Sequence, residues 1–342
     1  MKAVVKVAKG TGFVELREVP EPAPGPGEVR IRVEFAGICA SDLHILYDDI
    51  AITIRPPVVM GHEFSGTVDR LGDGVTGWRP GDRVVAEANY TVCGSCRYCA
   101  TGFYNLCAAR KVLGYWYDGA FAPYVVVPAR RLHRLPDAIG FREGALMEPT
   151  ACVVHGMCEL IAIAPGDAVL VTGPGAIGLT AVQVAKAAGA RVIVSGTADD
   201  RERLALAAAL GADATADAGD LARAVAEFTG RAGVDVAVEC AGNHLAVRAA
   251  IDALRRQGRF LQLGLLGREM QIDFDQVLFK ELSVTGSISS RDVSWRRAIA
   301  MVERGEVRPA ALVSTVFPLE DWEAAFAMHA GRKGLKILFR PE

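Results

Sequence analysis

The segment AVLVTGPGAIGLTAVQVAKAAG (168–189) constrains this chain more than any other. A continuous apolar run enters a glycine-rich turn, and an Ala-rich amphipathic stretch leaves it. An apolar run without polar alternation fits a strand buried on both faces, as in a parallel sheet covered by helices. The same rhythm recurs downstream, where RVIVSG, VDVAVECAG, RFLQLG and LSVTGS are separated by stretches such as ERLALAAALGA. Strand–helix alternation over residues 150–285 therefore predicts a Rossmann-type, doubly wound α/β domain.

The turn carries Gly173, Gly175 and Gly178, with Ala176 and Ile177 completing the loop. An ordinary tight turn is the plain alternative, but a strand before and a helix after give the spacing its meaning. Gly173 permits the turn, Gly175 lets a pyrophosphate approach, and Gly178 allows close helix–strand contact. N–H groups at the helix N-terminus then face the phosphate charge. The next strand departs from the NAD pattern, in which an acid about 20 residues on holds the ribose diol. Eighteen residues after Gly178 stands Gly196, flanked by Ser195 and Thr197. The missing carboxylate favours NADP over NAD, with Arg201 or Arg203 as partner of a 2′-phosphate. Asp199 and Asp200 lie close enough to hold a diol instead, and both cofactors binding is the third outcome.

Residues 1–149 read differently. Short β-branched runs such as EVRIRVEF, HEFSGTVDRLG, DRVVAE and APYVVVP alternate with Gly and Pro, which predicts a β-rich domain. Residues 286–342 return to a mixed pattern and end in KILFR. Charged residues make up 23% and the formal net charge is −2 without basic clusters, so a nucleic-acid partner is not expected. The stretch MKAVVKVAKG has no signal-peptide core, and no apolar run has membrane-spanning length. A cytoplasmic protein is the expectation.

Four of the eight cysteines, Cys93, Cys96, Cys99 and Cys107, fall in CGSCRYCATGFYNLC. Two-residue gaps let thiolates converge on one tetrahedral ion, and four thiolates close its shell. The lobe 93–107 is therefore expected to hold a structural zinc. An iron–sulfur cluster is disfavoured because the ferredoxin ending is missing. A nucleic-acid-binding zinc module is disfavoured because few basic residues, Arg97 and Arg110 among them, lie nearby.

A second metal set is dispersed. Cys39 ends its strand in GICASDLH, His62 and Glu63 come from GHEFSG, and Glu148 comes from LMEPTACVVHG. A thiolate, an imidazole and one carboxylate give a zinc site with an open position, as catalytic sites require. Cys39, His62 and a single Glu leave Zn²⁺ net neutral, whereas binding both carboxylates would weaken its polarising power. One of Glu63 and Glu148 is expected to bind while the other stands by. Cys39 as a small buried hydrophobe and Glu148 as a surface acid are the bland readings.

Together GICASDLH, GHEFSGTV, the four-cysteine loop, LMEPTACVVHG, GPGAIG and VECAG resemble the zinc-dependent medium-chain alcohol dehydrogenases over essentially all 342 residues. The chain resembles most the polyol (sorbitol or iditol) and threonine dehydrogenase branch, because Glu148 stands where alcohol dehydrogenases proper carry a second cysteine ligand. The resemblance implies a GroES-like catalytic domain from residues 1–149 and 286–342 around a Rossmann domain from 150–285, assembled as a homotetramer or homodimer. It implies two zinc ions per chain, one catalytic and one structural, and a secondary alcohol oxidised to a ketone by hydride transfer to NAD or NADP. Ser41 would take the alcohol proton, His44 would pass it to solvent, and Asp42 would orient His62. Turn, surface and capping roles are the alternatives for these three residues.

Several residues limit the choice of substrate. Sorbitol dehydrogenases carry an arginine where GSISSRD (286–292) has serines, with Arg291 displaced by about two positions, and the threonine branch also carries an arginine near here that Arg291 could match. Tyr115, Trp116 and Tyr117 are candidates to line the substrate cleft, with core packing as the alternative. Lys336 reads as a solvent-facing lysine, with the cofactor pyrophosphate as its other possible partner. L-threonine 3-dehydrogenase is the rival activity. A non-catalytic zinc-stabilised binding protein and a zinc-free quinone reductase are less consistent with Cys39 and His62.

Overall fold

A computed structural model describes residues 1–49 and 53–342. The chain folds as two units, the first formed by Met1–Ala151, Ser290–Glu303 and Arg308–Glu342, the second by Cys152–Ser289 and Arg304–Val307. The borders at 151/152 and 289/290 lie two and four residues after the expected 149/150 and 285/286. The helix Met147–His155 runs through the first border, and the chain stays with the second unit past the strand Ser283–Gly286.

The first unit is organised by the long strand Glu28–Gly37. Val29, Ile31 and Val33 alternate on its buried face, as a period of two requires. It pairs antiparallel with Glu63–Leu71, Tyr124–Pro128 and Lys336–Phe339. The register sets Gly37 opposite both Glu63 and Leu338, so residues far apart in sequence meet at one point. Behind the sheet Phe121 packs edge-on against Phe339 at 5.0 Å and Phe326 at 6.2 Å. Burying each such ring contributes about 2–3 kcal/mol.

The second unit is a six-stranded parallel sheet in the order Ala214–Asp217, Arg191–Gly196, Ala168–Thr172, Val234–Glu239, Leu254–Gln262, Ser283–Gly286. By position in the chain that order is 3-2-1-4-5-6, which reverses direction beside the first strand. Val169, Leu170, Val171, Val192, Val194, Val236 and Val238 are all buried, as the unbroken apolar runs require. Among the described residues no helix is long and apolar enough to cross a membrane.

Candidate active site and cofactor loop

The stretch expected to end a strand starts a helix instead. Cys39 is the N-cap of the helix Ala40–Tyr47, and its backbone N–H donates to the Asp42 carboxylate at 2.8 Å. That reciprocal cap turns Cys39, Ser41 and His44 out of one short helical segment. The ligand atoms of Cys39, His62 and Glu63 lie within 4.8 Å of one another. Asp42 Oδ1 stands 3.8 Å from His62 Nδ1, too far for a hydrogen bond, and neither atom has a hydrogen-bond partner. Burial pushes the Asp42 carboxyl up to about 6, against the pull of His62 and of the Cys39 N–H. Burial also opposes charge on His62, yet its bond to Cys39 and the charges of Asp42, Cys39 and Glu148 raise it to about 10. Thiolate, imidazole and carboxylate are the donor types of a zinc site, and they fit the ion.

Lys336 corrects the sequence reading. It is buried, with Nζ donating to both carboxylate oxygens of Glu63 and to the Ile38 carbonyl. Burial disfavours its charge, but Glu63 and Cys39 raise its pKa overall. All three ammonium donors are therefore used, and none faces solvent. A Cβ on Gly37 would meet Glu63 Oε2 at 2.6 Å, so a side chain there would push that carboxylate off Lys336. Glu148 is buried on the helix Met147–His155, and its charge acts on His62 and Lys336.

His44 Nδ1 lies 2.6 Å from the Asp49 carboxylate at the far end of the same helix. Ser41 Oγ accepts from the Tyr115 hydroxyl at 2.8 Å, and the Tyr115 ring stands edge-on to His62. Of the three aromatics proposed as cleft lining, Tyr115 alone reaches this cluster. Tyr117 stacks on Tyr90 at 3.9 Å, and Trp116 receives the Lys111 ammonium at 5.0 Å.

The four-cysteine loop closes on itself. Cys96 Sγ is 3.6 Å and Cys93 Sγ 3.9 Å from Cys99 Sγ. Four thiolates about 2.3 Å from a tetrahedral ion are roughly 3.8 Å apart, whereas a disulfide brings sulfurs to about 2.05 Å. The ligand atoms of Cys93, Cys96, Cys99 and Cys107 all lie within 4.8 Å of one another, so the loop fits one metal ion. Backbone N–H groups of Ser95 and Cys96 pull the Cys93 thiol down to about 6, toward the thiolate a metal needs.

Sequence reasoning missed what anchors that lobe. Glu87 is buried and accepts from the Tyr104 hydroxyl at 2.8 Å and from Arg131 at 3.3 Å, with His133 Nε2 at 3.4 Å. Tyr104 in turn accepts the Asp292 N–H at 2.5 Å, and His133 stacks on Trp295 at 5.2 Å. The available signal was an acid, Glu87, directly after the apolar run VVA. Arg291, displaced in sequence from the polyol-contacting arginine of sorbitol dehydrogenases, lies 4.0 Å over the Phe103 ring.

In the second unit Gly173 has φ +87, and a Cβ there would meet Ala241 Cα at 2.7 Å. A Cβ on Gly178 would meet the Gly173 carbonyl oxygen at 2.0 Å. Gly175, N-cap of the helix Ala176–Ala187, has nothing within 4 Å of that position. With Ala176 and Ile177 next and no acid in the first turn, this open N-terminus fits a pyrophosphate. Glu239, also unforeseen, is buried and holds the neighbouring loop by accepting the Ala241 and Gly242 N–H groups at 2.8 Å each.

Beyond it, Ser195 and Gly196 are buried at the end of their strand. Asp200, one of the two acids near a ribose diol in the sequence reading, is turned back on its own loop. It accepts from the Thr197 hydroxyl at 2.8 Å and N–H at 3.0 Å, and lies 3.6 Å from Arg203. Arg201 is exposed at the start of the next helix.

Comparison with known proteins agrees with this geometry. Residues 25–137 match the alcohol dehydrogenase GroES-like domain, and residues 176–304 match the zinc-binding dehydrogenase domain. The chain belongs to the zinc-binding alcohol dehydrogenase family, with a GroES-like domain and a Rossmann-like domain. Within that family it lies in the polyol and threonine dehydrogenase branch. It is 41% identical to a sorbitol dehydrogenase of Halalkalibacterium halodurans, over 100% of this chain and 99% of that protein. It is 39% identical to an L-threonine 3-dehydrogenase of Bacillus velezensis, over 99% of this chain and 98% of that one. A zinc-binding dehydrogenase of Sinorhizobium meliloti 1021, solved bound to NADP, superposes with a TM-score of 0.91 at 34% identity, covering 99% of each chain.

Proposed function

We propose that the chain oxidises a secondary alcohol of a polyol or sugar-like substrate to the ketone, with NADP preferred over NAD. The observation that carries this reading is the convergence of the Cys39 and His62 donors, with the Glu63 carboxylate beside them, next to a hydroxyl, Ser41, on the helix that Cys39 caps. Zinc held there supplies Lewis acidity toward the substrate hydroxyl, and the nicotinamide supplies the hydride acceptor. Ser41 Oγ accepts the proton that the substrate gives up, and His44, oriented by Asp49, delivers it to solvent.

Charge favours Glu148 as the metal-binding carboxylate. Lys336 neutralises Glu63, so Zn²⁺ with Cys39, His62 and Glu148 stays net neutral while Glu63 stands by. The sulfur spacing at Cys93, Cys96, Cys99 and Cys107 supports a second, structural zinc. NADP preference is supported by Gly196 in place of an acid and by Asp200 being engaged with Thr197 and Arg203. Ser195, Thr197 and Arg201 are the residues assigned to its 2′-phosphate. Metal-binding thiols suit a reducing compartment, which favours the cytoplasm. Exposed Leu278, Val284 and Ile288 near the open edge strand Ser283–Gly286 favour a homodimer or homotetramer.

L-threonine 3-dehydrogenase is the second reading, favoured by the Bacillus velezensis relative. Against it stands Arg291, whose guanidinium lies over the Phe103 ring. The deciding experiment follows reduced-cofactor absorbance with NAD⁺ and NADP⁺ separately, over polyols, sugars, simple secondary alcohols and threonine. Polyol turnover faster with NADP⁺ supports the proposal. Turnover of threonine alone moves the chain to the second reading.

A further inference from the structure

Three glycines form a close backbone crossing next to His62. A Cβ on Gly114 would meet the Gly61 carbonyl oxygen at 2.8 Å, and one on Gly119 would meet it at 2.1 Å. The turn that follows is pinned at Tyr115, whose N–H donates to the Val112 carbonyl at 3.3 Å and whose carbonyl accepts from Arg55 at 2.8 Å. With its backbone fixed this way, Tyr115 sends its hydroxyl to Ser41 Oγ at 2.8 Å and sets its ring edge-on to His62, centroids 5.4 Å apart at 71°.

A serine hydroxyl has one proton to donate and two lone pairs that accept. The Tyr115 bond takes one lone pair. One acceptor site and one donor proton remain, which is the set needed to take a proton on one side and give one on the other. We propose that Tyr115 is a positioning residue for the reaction, locking the direction of the Ser41 hydroxyl and steadying the charge on Oγ during proton transfer. The inference rests on the alcohol dehydrogenase reading. In that reaction the substrate O–H bond breaks as a bond forms from the proton to Ser41 Oγ. The proton Ser41 held before passes on toward His44 and solvent. The C–H electron pair leaves as hydride to the nicotinamide, so carbon is oxidised and cofactor reduced, with one proton released. Charge-assisted donation to Oγ is stronger while that oxygen carries negative character.

The test is Tyr115→Phe in the zinc-loaded enzyme, which removes only the hydroxyl. The expected result is a fall in kcat of about tenfold, part of the roughly 10²–10⁴-fold that proton-transfer groups contribute. KM should stay within about twofold, because the ring remains. The solvent deuterium isotope effect on kcat should rise, while zinc content and cofactor Kd stay at wild-type values. A purely structural role would lower active fraction without changing the isotope effect. Wild-type kcat together with a wild-type isotope effect overturns the proposal. A double-mutant cycle in denaturant, pairing Tyr115→Phe with Ser41→Ala, provides the second readout. It should show a several-fold coupling in the unfolding constant. Zero coupling overturns the Tyr115–Ser41 pair even if the wild-type protein oxidises no alcohol, an outcome that would by itself refute only the function.

Discussion

Lys336 and Glu63 form a buried ion pair in which the ammonium reaches both carboxylate oxygens, across 273 positions of sequence. The pair exists because the last strand, Lys336–Phe339, lies against the strand Glu28–Gly37, whose other neighbour begins at Glu63. It places a fixed positive charge beside the Cys39, His62 and Glu63 donors and leaves Glu63 electrically balanced before any metal arrives. Removing one partner of such a pair strands a charge in low dielectric. Lys336→Met should therefore destabilise the protein by roughly 3–5 kcal/mol. The double variant Lys336→Met with Glu63→Gln should recover part of that loss in urea unfolding. A single-variant loss below about 1 kcal/mol would place the pair among the weak, solvated ones.

The proposed NADP preference is tested at the end of the second strand of the parallel sheet. Gly196 offers no carboxylate, Asp200 is held by Thr197 and Arg203, and Arg201 is exposed beside them. Arg201→Ala should weaken NADP⁺ binding by about tenfold, the loss of one guanidinium–phosphate contact, and leave NAD⁺ nearly unchanged. Calorimetric titration with each cofactor reads the difference. Equal losses for both would show that Arg201 does not discriminate them.

The four-cysteine lobe should depend on its metal for order. Cys93→Ser removes a thiolate whose sulfur sits 3.9 Å from Cys99 Sγ. Metal content should fall from two to one zinc per chain, and protease should then cut within residues 93–107. Tyr104, in the lobe, also holds Glu87, so unfolding temperature should fall as well. Unchanged zinc content would contradict the tetrahedral assignment.

Acid stability of the second unit should depend on Asp235. Its carboxylate accepts the Ala168 N–H at 2.8 Å and Arg255 Nε at 2.6 Å. Partial burial opposes its charge, but those two donors hold its pKa below the usual carboxylate value. A folded value below the unfolded one means full stabilisation above about pH 4, lost as pH falls through the folded value. Asp235→Asn should cost about 1–2 kcal/mol at neutral pH. Wild type and variant should converge in acid, read by denaturant midpoints across pH. A gap that persists or widens below about pH 3 would contradict this.

The parallel sheet, the glycine turn and the cysteine loop were legible because each is written in a local pattern. Unbroken valine runs mark strands covered on both faces, and two-residue gaps between cysteines leave few geometries. Contacts set by sheet register were not legible. Nothing near Lys336 in GLKILF announces Glu63, because register alone decides what lies across from a strand. The same holds for Glu87, whose partners Tyr104, Arg131 and His133 come from three segments. Cys39 was read as a strand end because EVRIRVEF alternates so regularly, while the Asp42 cap that starts a helix there is a three-residue signal. Arg291 was read by its spacing to a family position, and an aromatic ring, Phe103, takes it instead.

The central claim, that Cys39 belongs to a metal site needed for alcohol oxidation, is tested most directly by turnover of Cys39→Ala with zinc counted in the same sample. The account predicts one zinc per chain instead of two, an unchanged fold by circular dichroism, and loss of turnover by at least roughly 10³-fold, the scale of several kcal/mol of transition-state stabilisation. Wild-type turnover from a Cys39→Ala protein that has lost one zinc would contradict it.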